Sequence, residues 1–444
     1  MTHCSKQLAF PFFKNAKLLA TFDGGTIVTD GGLLLVREFD ERIGFTRAIS
    51  EVIYDPRDPR FVLHPQLDLL RQRIYQIIAG YEDCNDATLL RQDPIFKAVA
   101  GRTPEGVPLG SQPTLSRLEN RVGLDTQMDM VDALIETFIQ TRPEPLTEIT
   151  LDIDPSEAAT YGNQQLTFFN AHYDSYMYFP QFICDAKTRG LLAAVLRPGN
   201  VGTVQGAIVL LDRVVRLLRL AFPQIKINVR ADSNFADPAF LTWLEEEQIP
   251  YTIGMGTNKA LAAISAPFVK TVEERFRATG RPQRSFNTFW YQTKKTWSRK
   301  RRILVKVEVT SLGTNVRYVI ATRRGPSRDL YEWYTERGGT VEDALEQLKN
   351  GFEGDRLSCR EFSANAFRLL LHAAAYNLMI LFRERIAVPE LRDADIQTVR
   401  TKLIKVGGLV VRSVRRLWIK LSSSWPYADI FRKVHAALVQ EPSG

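Results

Sequence analysis

Apolar and polar residues change period once, sharply, along this chain. Before about residue 145 the pattern is helical. Leu63, Leu67, Leu70, Ile74, Ile77 and Ile78 recur mostly at three- and four-residue spacings, which gives one apolar helix face. Ahead of them, Asp23-Gly-Gly and Asp30-Gly-Gly are turn signals around a short β-like Thr26-Ile-Val. Ser111-Gln-Pro-Thr predicts a capped helix start, with Pro113 in the first turn and Ser116, Arg117 and Asn120 on or near the polar side. A further helix is predicted over 128–141, and Pro143 and Pro145 close the region.

From Thr147 the period drops to two. Thr147-Glu-Ile-Thr-Leu-Asp-Ile-Asp154 alternates, with Ile149, Leu151 and Ile153 on one face and Asp152 and Asp154 on the other. Strands over 176–184 and 191–196, a helix over 203–220, the strand Ile225-Lys-Ile-Asn-Val-Arg-Ala-Asp232, a helix near 238–247 and a strand at 251–254 follow. A three-strand meander continued by crossover strands is the ribonuclease-H-like plan. Residues 265–325 interrupt it with β-rich segments, and a long helical stretch runs from Thr340 to about Arg385. The expected fold is therefore α/β: a ribonuclease-H-like core with a β-rich insertion, a mainly helical N-terminal region and a helical C-terminal tail. The expected boundaries are 1–145, 146–260, 261–328, 329–390 and 391–444.

Composition narrows the partners. The 444 residues carry a net charge of +8, with an isoelectric point near 9.2, which favours polyanions. Cys4, Cys84, Cys184 and Cys359 are far apart with no Cys-x-x-Cys pair, and the five histidines are dispersed. That argues against a zinc site or disulfide framework and fits a reducing cytoplasm. No signal peptide is expected at the start, and the apolar stretch 369–382 contains His372 and Asn377 and is too short to span a bilayer. His372, Cys184 and Cys359 read as core residues.

Three carboxylates stand out against this background. Asp154 and Asp232 each close an alternating strand, and Glu342 opens a helix after Arg337-Gly-Gly, with Val341, Ala344, Leu345, Leu348 and Phe352 on its apolar side. Oxygen ligands of this kind suit two hard divalent cations that clamp the attacking and leaving oxygens of a phosphoryl transfer. On a basic protein the phosphodiester would be DNA or RNA. The plain readings remain open here: an Asp after a strand is a cap, and Glu342, Glu346 and Lys349 form a solvated stripe. Thr340 is the expected N-cap, and Asp152 competes with Asp154 as first ligand.

Several segments together resemble one family. Asp30-Gly-Gly-Leu-Leu-Leu, Gly80-Tyr-Glu-Asp-Cys-Asn-Asp86, Ser111-Gln-Pro-Thr-Leu-Ser-Arg-Leu-Glu-Asn120, Leu151-Asp-Ile-Asp154, Leu196-Arg-Pro-Gly-Asn200 and Arg356-Leu-Ser-Cys are similar to the DDE transposases of bacterial insertion sequences, the insertion sequence 1380 family in particular. Phe367-Arg-Leu-Leu-Leu-His-Ala-Ala-Ala-Tyr376 and Arg412-Ser-Val-Arg-Arg416 extend the likeness. The resemblance implies Asp154, Asp232 and Glu342 as catalytic metal ligands for two Mg²⁺, with Mn²⁺ able to substitute. Its Tyr-Arg-Glu-Lys signature falls on Tyr334, Arg337, Glu342 and Lys349, with one extra residue between Arg337 and Glu342. The implied activity is cut-and-paste transposition: binding terminal inverted repeats, cleaving element ends and joining 3′ hydroxyls to target DNA, as a homodimer or higher oligomer with no membrane involved. A hairpin intermediate at the excised end is compatible with the signature.

Seven Lys or Arg between 294 and 306 interleave with Trp290, Tyr291 and Trp297, which suits phosphate contact and base stacking by Arg299, Lys300, Arg301 and Arg302. A solvated hairpin is the alternative. Residues 400–420 hold seven more, interspersed with apolar residues as in an ordinary amphipathic segment. Arg117 is the candidate for reading the ends. Two other functions fit the same residues: a catalytically silent DNA-binding protein derived from a transposase, and a hydrolytic nuclease without strand transfer.

Overall fold

A mixed sheet of eight strands carries the acidic residues in the computed structural model, which describes residues 7–386 and 388–440. Cys4 lies outside the described residues. The strands are β1 (Glu148–Pro155), β2 (Gln181–Asp185), β3 (Leu191–Val195), β4 (Lys226–Ala231), β5 (Tyr251–Met255), β6 (Gln283–Tyr291), β7 (Arg301–Thr310) and β8 (Gly313–Ala321). Their spatial order is β6-β7-β8-β5-β4-β1-β2-β3. β1, β2 and β3 form an antiparallel meander, and β4 and β5 add in parallel to β1. Strands β6 to β8 do not stand apart. β8 pairs antiparallel with β5, so the basic segment prolongs the same sheet.

Helices cover both crossovers and the flanks. α1 (Leu124–Gln140) packs on β3 and on α2 (Ala207–Ala221), which links β3 to β4; α3 (Pro238–Glu246) links β4 to β5. Asp237 caps α3 through the amides of Ala239 and Phe240, and Pro238 occupies its first turn. α4 (Lys259–Thr279) lies against β7 and β8, where the Ser265 and Tyr318 hydroxyls meet at 2.7 Å. α5 (Ser327–Thr335), α6 (Val341–Glu346) and α7 (Phe362–Arg385) complete this unit.

Two expected elements are broken for identifiable reasons. The strand expected over 176–184 divides at Pro180, which has no N–H to give to a ladder. Ser175–Tyr178 joins a small sheet with Ala158–Ala159 and Phe168–Asn170, and only Gln181–Asp185 enters the large one. The helix expected from Thr340 to Arg385 is interrupted after a π-turn at Gln347–Gly351, where Glu353 adopts a left-handed φ of 55°. Of the described residues, α7 is the one helix long and apolar enough to cross a membrane, and its apolar window is wholly buried within the protein. His372 sits in it at 0% exposure with Nδ1 2.6 Å from the Phe352 carbonyl, a core histidine as expected.

The chain forms two compact units, 48–54 with 119–381 as just described, and 1–47 with 55–118 and 382–444. In the second unit the Asp30-Gly-Gly segment is more than a turn. Gly31 and Gly32 donate to the carbonyls of Val406 and Ile404, and a Cβ on Gly32 would lie 1.7 Å from the Leu403 carbonyl oxygen. Only glycine permits this approach. Asp30, fully buried, takes Lys405 at 2.7 Å. Beyond it the expected helical tail contains a β-hairpin, Gly408–Ser413 with Arg416–Leu421, that adds to Ile27–Val28. The β-branched residues Val410, Val411 and Ile419 favour that extended form.

Candidate active site

The two parallel strands β1 and β4 end level with each other. Ile153 faces Ala231 in the ladder, so Asp154 and Asp232 leave neighbouring strands about one strand spacing (~4.8 Å) apart in backbone. Carboxyl ends of parallel strands are where crevices form in open α/β sheets. Asp232 also caps the short turn Ser233–Phe235, accepting from the Asn234 amide at 2.9 Å and its side chain at 3.0 Å. The plain cap role anticipated for an Asp after a strand is therefore present, and it fixes where the carboxylate stands.

Arg337 joins Asp154 to Glu342. It is 9% exposed, donates to Asp154 Oδ2 at 2.9 Å and reaches Glu342 Oε1 at 3.4 Å. The extra residue before Glu342 is absorbed in a 3₁₀ turn, Glu336–Gly339. Burial lowers the Arg337 pKa, but Asp154, Tyr334 and Asp232 raise it more, and the guanidinium is held above its ordinary value. Asp154 is pushed the other way, up to about 7: burial dominates, Arg337 opposes it, and Asp232 and Glu342 add repulsion. One guanidinium does not balance three carboxylates.

Asp152 has a different fate from Asp154. It is fully buried, and Arg230 grips both its oxygens at 2.7 and 2.8 Å while the Thr340 hydroxyl donates to Oδ2. Arg230 in turn donates to the Trp333 carbonyl at 2.6 Å and lies over that indole. The polar face of β1 is thus covered at position 152, whereas Asp154 at its carboxyl end is only partly covered. The Thr340 hydroxyl, expected to cap α6, makes no cap bond and serves Asp152 and the Arg337 carbonyl instead.

Tyr334 stands by the same cluster, its hydroxyl held above the ordinary value by burial, against Arg337 and with Asp232 and Asp154 adding to it. Lys349 lies on the π-turn, where burial lowers its pKa and Asp355 and Glu157 pull it back up. Two neighbours escaped the sequence reading. A Cβ on Gly254 would lie 2.6 Å from the Tyr334 hydroxyl and 2.9 Å from the Ser233 amide nitrogen. The only sequence signal was its place at the end of a strand. We expect Gly254→Ala to slow any reaction at these carboxylates roughly a hundredfold, the scale of a 1 Å misplacement, and to lower the melting temperature, because the Ser233 backbone must shift to admit the Cβ. An unaltered rate would show that Tyr334 and Asp232 can give way. The second is Tyr173, on the turn between Phe168–Asn170 and Ser175–Tyr178, whose hydroxyl is raised by burial first and then by Asp154, Glu157 and Asp232.

The basic residues divide. Arg301 is 2% exposed, clamped by Glu245 at 2.8 and 2.9 Å and stacked on Trp297, so it cannot serve as the exposed phosphate contact expected of it. Arg299 shares Glu245 at 2.6 Å but is half exposed, and Arg302 donates to the Gly325 carbonyl. Lys294, Lys295 and Lys300 are exposed on the loop 292–300 that joins β6 to β7, beside Trp290 at 68% exposure. Arg117 is exposed on the helix Gln112–Arg121, while Glu119, two residues on, is buried against Arg368 at 2.8 Å.

Among the described residues no three His, Cys, Asp or Glu side chains are gathered closely enough to hold a metal ion. In this arrangement Arg337 occupies the space between Asp154 and Glu342. The donor set is nonetheless all carboxylate oxygen with surplus negative charge, which is the chemistry a hard divalent cation requires. Glu342, paired with Arg337 at 3.4 Å, keeps 60% of its side chain exposed.

Residues 10–443 match the family model described as Transposase DDE domain group 1. No curated protein matches the chain. A solved structure, the piggyBac transposase synaptic complex with hairpin DNA, aligns at 13% identity with a TM-score of 0.42, covering 90% of this chain and 83% of that one.

Proposed function

Since this chain belongs to the family of group 1 transposase DDE domains, we propose that it is a cut-and-paste DNA transposase of the insertion sequence 1380 type, acting at the ends of β1 and β4. The observation that carries this reading is the convergence of Asp154, Asp232 and, through Arg337, Glu342 at the carboxyl ends of two central strands. The strand order, a meander followed by two parallel crossovers, supports a ribonuclease-H-like core.

DDE transposases generally use divalent metal ions. Asp154, Asp232 and Glu342 would hold Mg²⁺, and the bound ions would activate the attacking oxygen and stabilise the leaving one. The chain's own groups do the rest. Arg337 is a charge already buried in the site, able to pass from Asp154 and Glu342 to a phosphate oxygen. Tyr334, packed against Gly254, orients it. Lys349, partly desolvated, offers a second cation to the DNA backbone. Asp152 with Arg230 keeps β1 and β4 aligned beneath them.

DNA would be held by the exposed lysines of the 292–300 loop, and the helix carrying Arg117 would read the inverted repeats. Replacing Lys294, Lys295 and Lys300 together by Gln should flatten the slope of log affinity against log salt by roughly 0.9 per lost phosphate contact. Arg301→Gln should instead lower thermal stability. An unchanged slope in the triple variant would remove the loop from the DNA-binding surface. The function itself is tested by incubating the full chain with linear duplexes bearing the element's ends, with Mg²⁺ or with chelator. Cleavage at the ends and joined 3′ products with Mg²⁺ are expected. Cleavage without joining would make it a nuclease, and specific binding with neither would make it a silent derivative.

A further inference from the structure

On the small sheet that follows β1 lies an open cleft of about 770 Å³. Its walls include Tyr161, Asn163, Gln164, Tyr176, Arg360 and Glu361. Tyr161 is 96% exposed and Tyr176 is 60% exposed. Tyr176 is steadied edge-on by Phe169 at 5.6 Å, and large aromatic faces that stay in water mark contact surfaces rather than core.

The cleft is held in shape by partly buried hydrogen bonds. The Gln164 side-chain amide donates to the carbonyls of Leu357 and Cys359, and the Gln165 amide to the Arg360 carbonyl at 2.9 Å. Asn365 secures the opposite wall, accepting from the Cys359 amide at 2.9 Å and donating to its carbonyl at 2.7 Å. The loop 160–167 and the segment 357–361 are therefore braced against each other before any ligand arrives. Such bracing leaves the tyrosine rings as preformed platforms.

The occupant's chemistry follows from the lining. Arg360 and Glu361 are neighbours of opposite sign, so the cleft carries little net charge to reward a phosphate alone. Flat aromatic rings beside an amide, a guanidinium and a carboxylate match a nucleobase, which has two π-faces and an edge of mixed donors and acceptors. Duplex DNA hides those faces; an unpaired nucleotide shows them. We propose that this cleft is a single-stranded DNA subsite, in which an unpaired base of the processed strand stacks on Tyr161 and Tyr176 and meets Asn163 and Arg360 at its edge. The proposal rests on the transposase reading above.

Its position suits that role. Asp154 and Thr160 at the cleft are six positions apart, a span of at most about 20 Å. On the neighbouring hairpin, Tyr176 in the cleft is three residues, roughly 10 Å, from Tyr173 at the tip. Burial first, and then the charges of Asp154, Glu157 and Asp232, hold the Tyr173 hydroxyl above its ordinary value. A strand held at the carboxylates would thus reach the cleft within a few nucleotides.

The test compares blunt duplex with the same duplex carrying a short single-stranded overhang, 3′ or 5′, by fluorescence anisotropy on the full chain. An overhang of one polarity is expected to bind roughly tenfold tighter than the blunt duplex, the scale of base–aromatic stacking. In the Tyr161→Ala, Tyr176→Ala double variant the two affinities should become equal, while Tyr161→Phe with Tyr176→Phe keeps the preference. Both side chains are exposed, and circular dichroism of each variant checks that the fold is intact. Equal affinities in the unaltered protein, a preference that survives the alanine pair, or one that the phenylalanine pair also abolishes would each overturn the subsite. Duplex binding without overhang preference overturns the cleft alone, whereas absence of binding to any DNA would overturn the transposase reading with it.

Discussion

Asp154→Ala, Asp232→Ala and Glu342→Ala are each expected to eliminate metal-dependent cleavage while leaving DNA affinity within a few-fold of the unaltered chain. Each change removes one oxygen donor from a site that needs several to hold a hard cation. None lies on the 292–300 loop or on the helix carrying Arg117. Asp154→Ala should also leave Arg337 with only Glu342 as an anionic hydrogen-bond partner, since its 2.9 Å bond to Asp154 is lost. The measurement is single-turnover cleavage of labelled ends alongside anisotropy on the same DNA. Cleavage at the normal rate by the Asp232 variant would sink the assignment, because Asp232 is the carboxylate nearest in register to Asp154.

Asp152→Ala should do something different: destabilise the unit formed by 48–54 and 119–381. Asp152 and Arg230 are 0% and 1% exposed in their side chains, and removing one partner of a buried pair strands the other's charge, at a cost of about 3–5 kcal/mol. On a unit of this size that corresponds to a melting temperature lower by roughly 10 °C. Arg230→Ala should match it, because the uncompensated carboxylate is equally costly. The double replacement Asp152→Ala, Arg230→Ala should recover part of the loss, since neither charge is then stranded. If Asp152→Ala melts like the unaltered protein but cannot cleave, Asp152 is a ligand and the division of labour along β1 is reversed.

The two aspartates show how far a strand pattern can go. Alternation placed Asp152 and Asp154 on the same face of β1 and could not tell them apart, because period two reports side, not depth. The difference arises from β4. Arg230, paired opposite Asp152, reaches across to it from the adjacent strand, and Trp333 and Thr340 close over both. Those groups are 78 to 188 residues away in sequence, so no local reading could find them. The same holds for Arg301, which belongs to a basic run by composition but is withdrawn from it by Glu245, 56 residues earlier.

What the amino-acid order determined alone is periodic or punctuated. Strands β1, β4 and β5 and the helices between them follow from alternating or amphipathic runs bounded by Pro and Asp caps, and Asp154, Asp232 and Glu342 follow as the polar residues at their ends. Gly338-Gly339 marked the turn that absorbs an extra residue. The tertiary structure decided everything that depends on non-local pairing. It made β6 to β8 an extension of the main sheet through the β8–β5 ladder and split the expected 176–184 strand between two sheets at Pro180. It turned part of the expected helical tail into a hairpin by offering it Ile27–Val28 as a partner. Gly32 and Gly254 look alike in sequence to any loop or strand-end glycine. Each is required because a distant segment passes within a methyl group's width, and that distance exists only once the chain has folded.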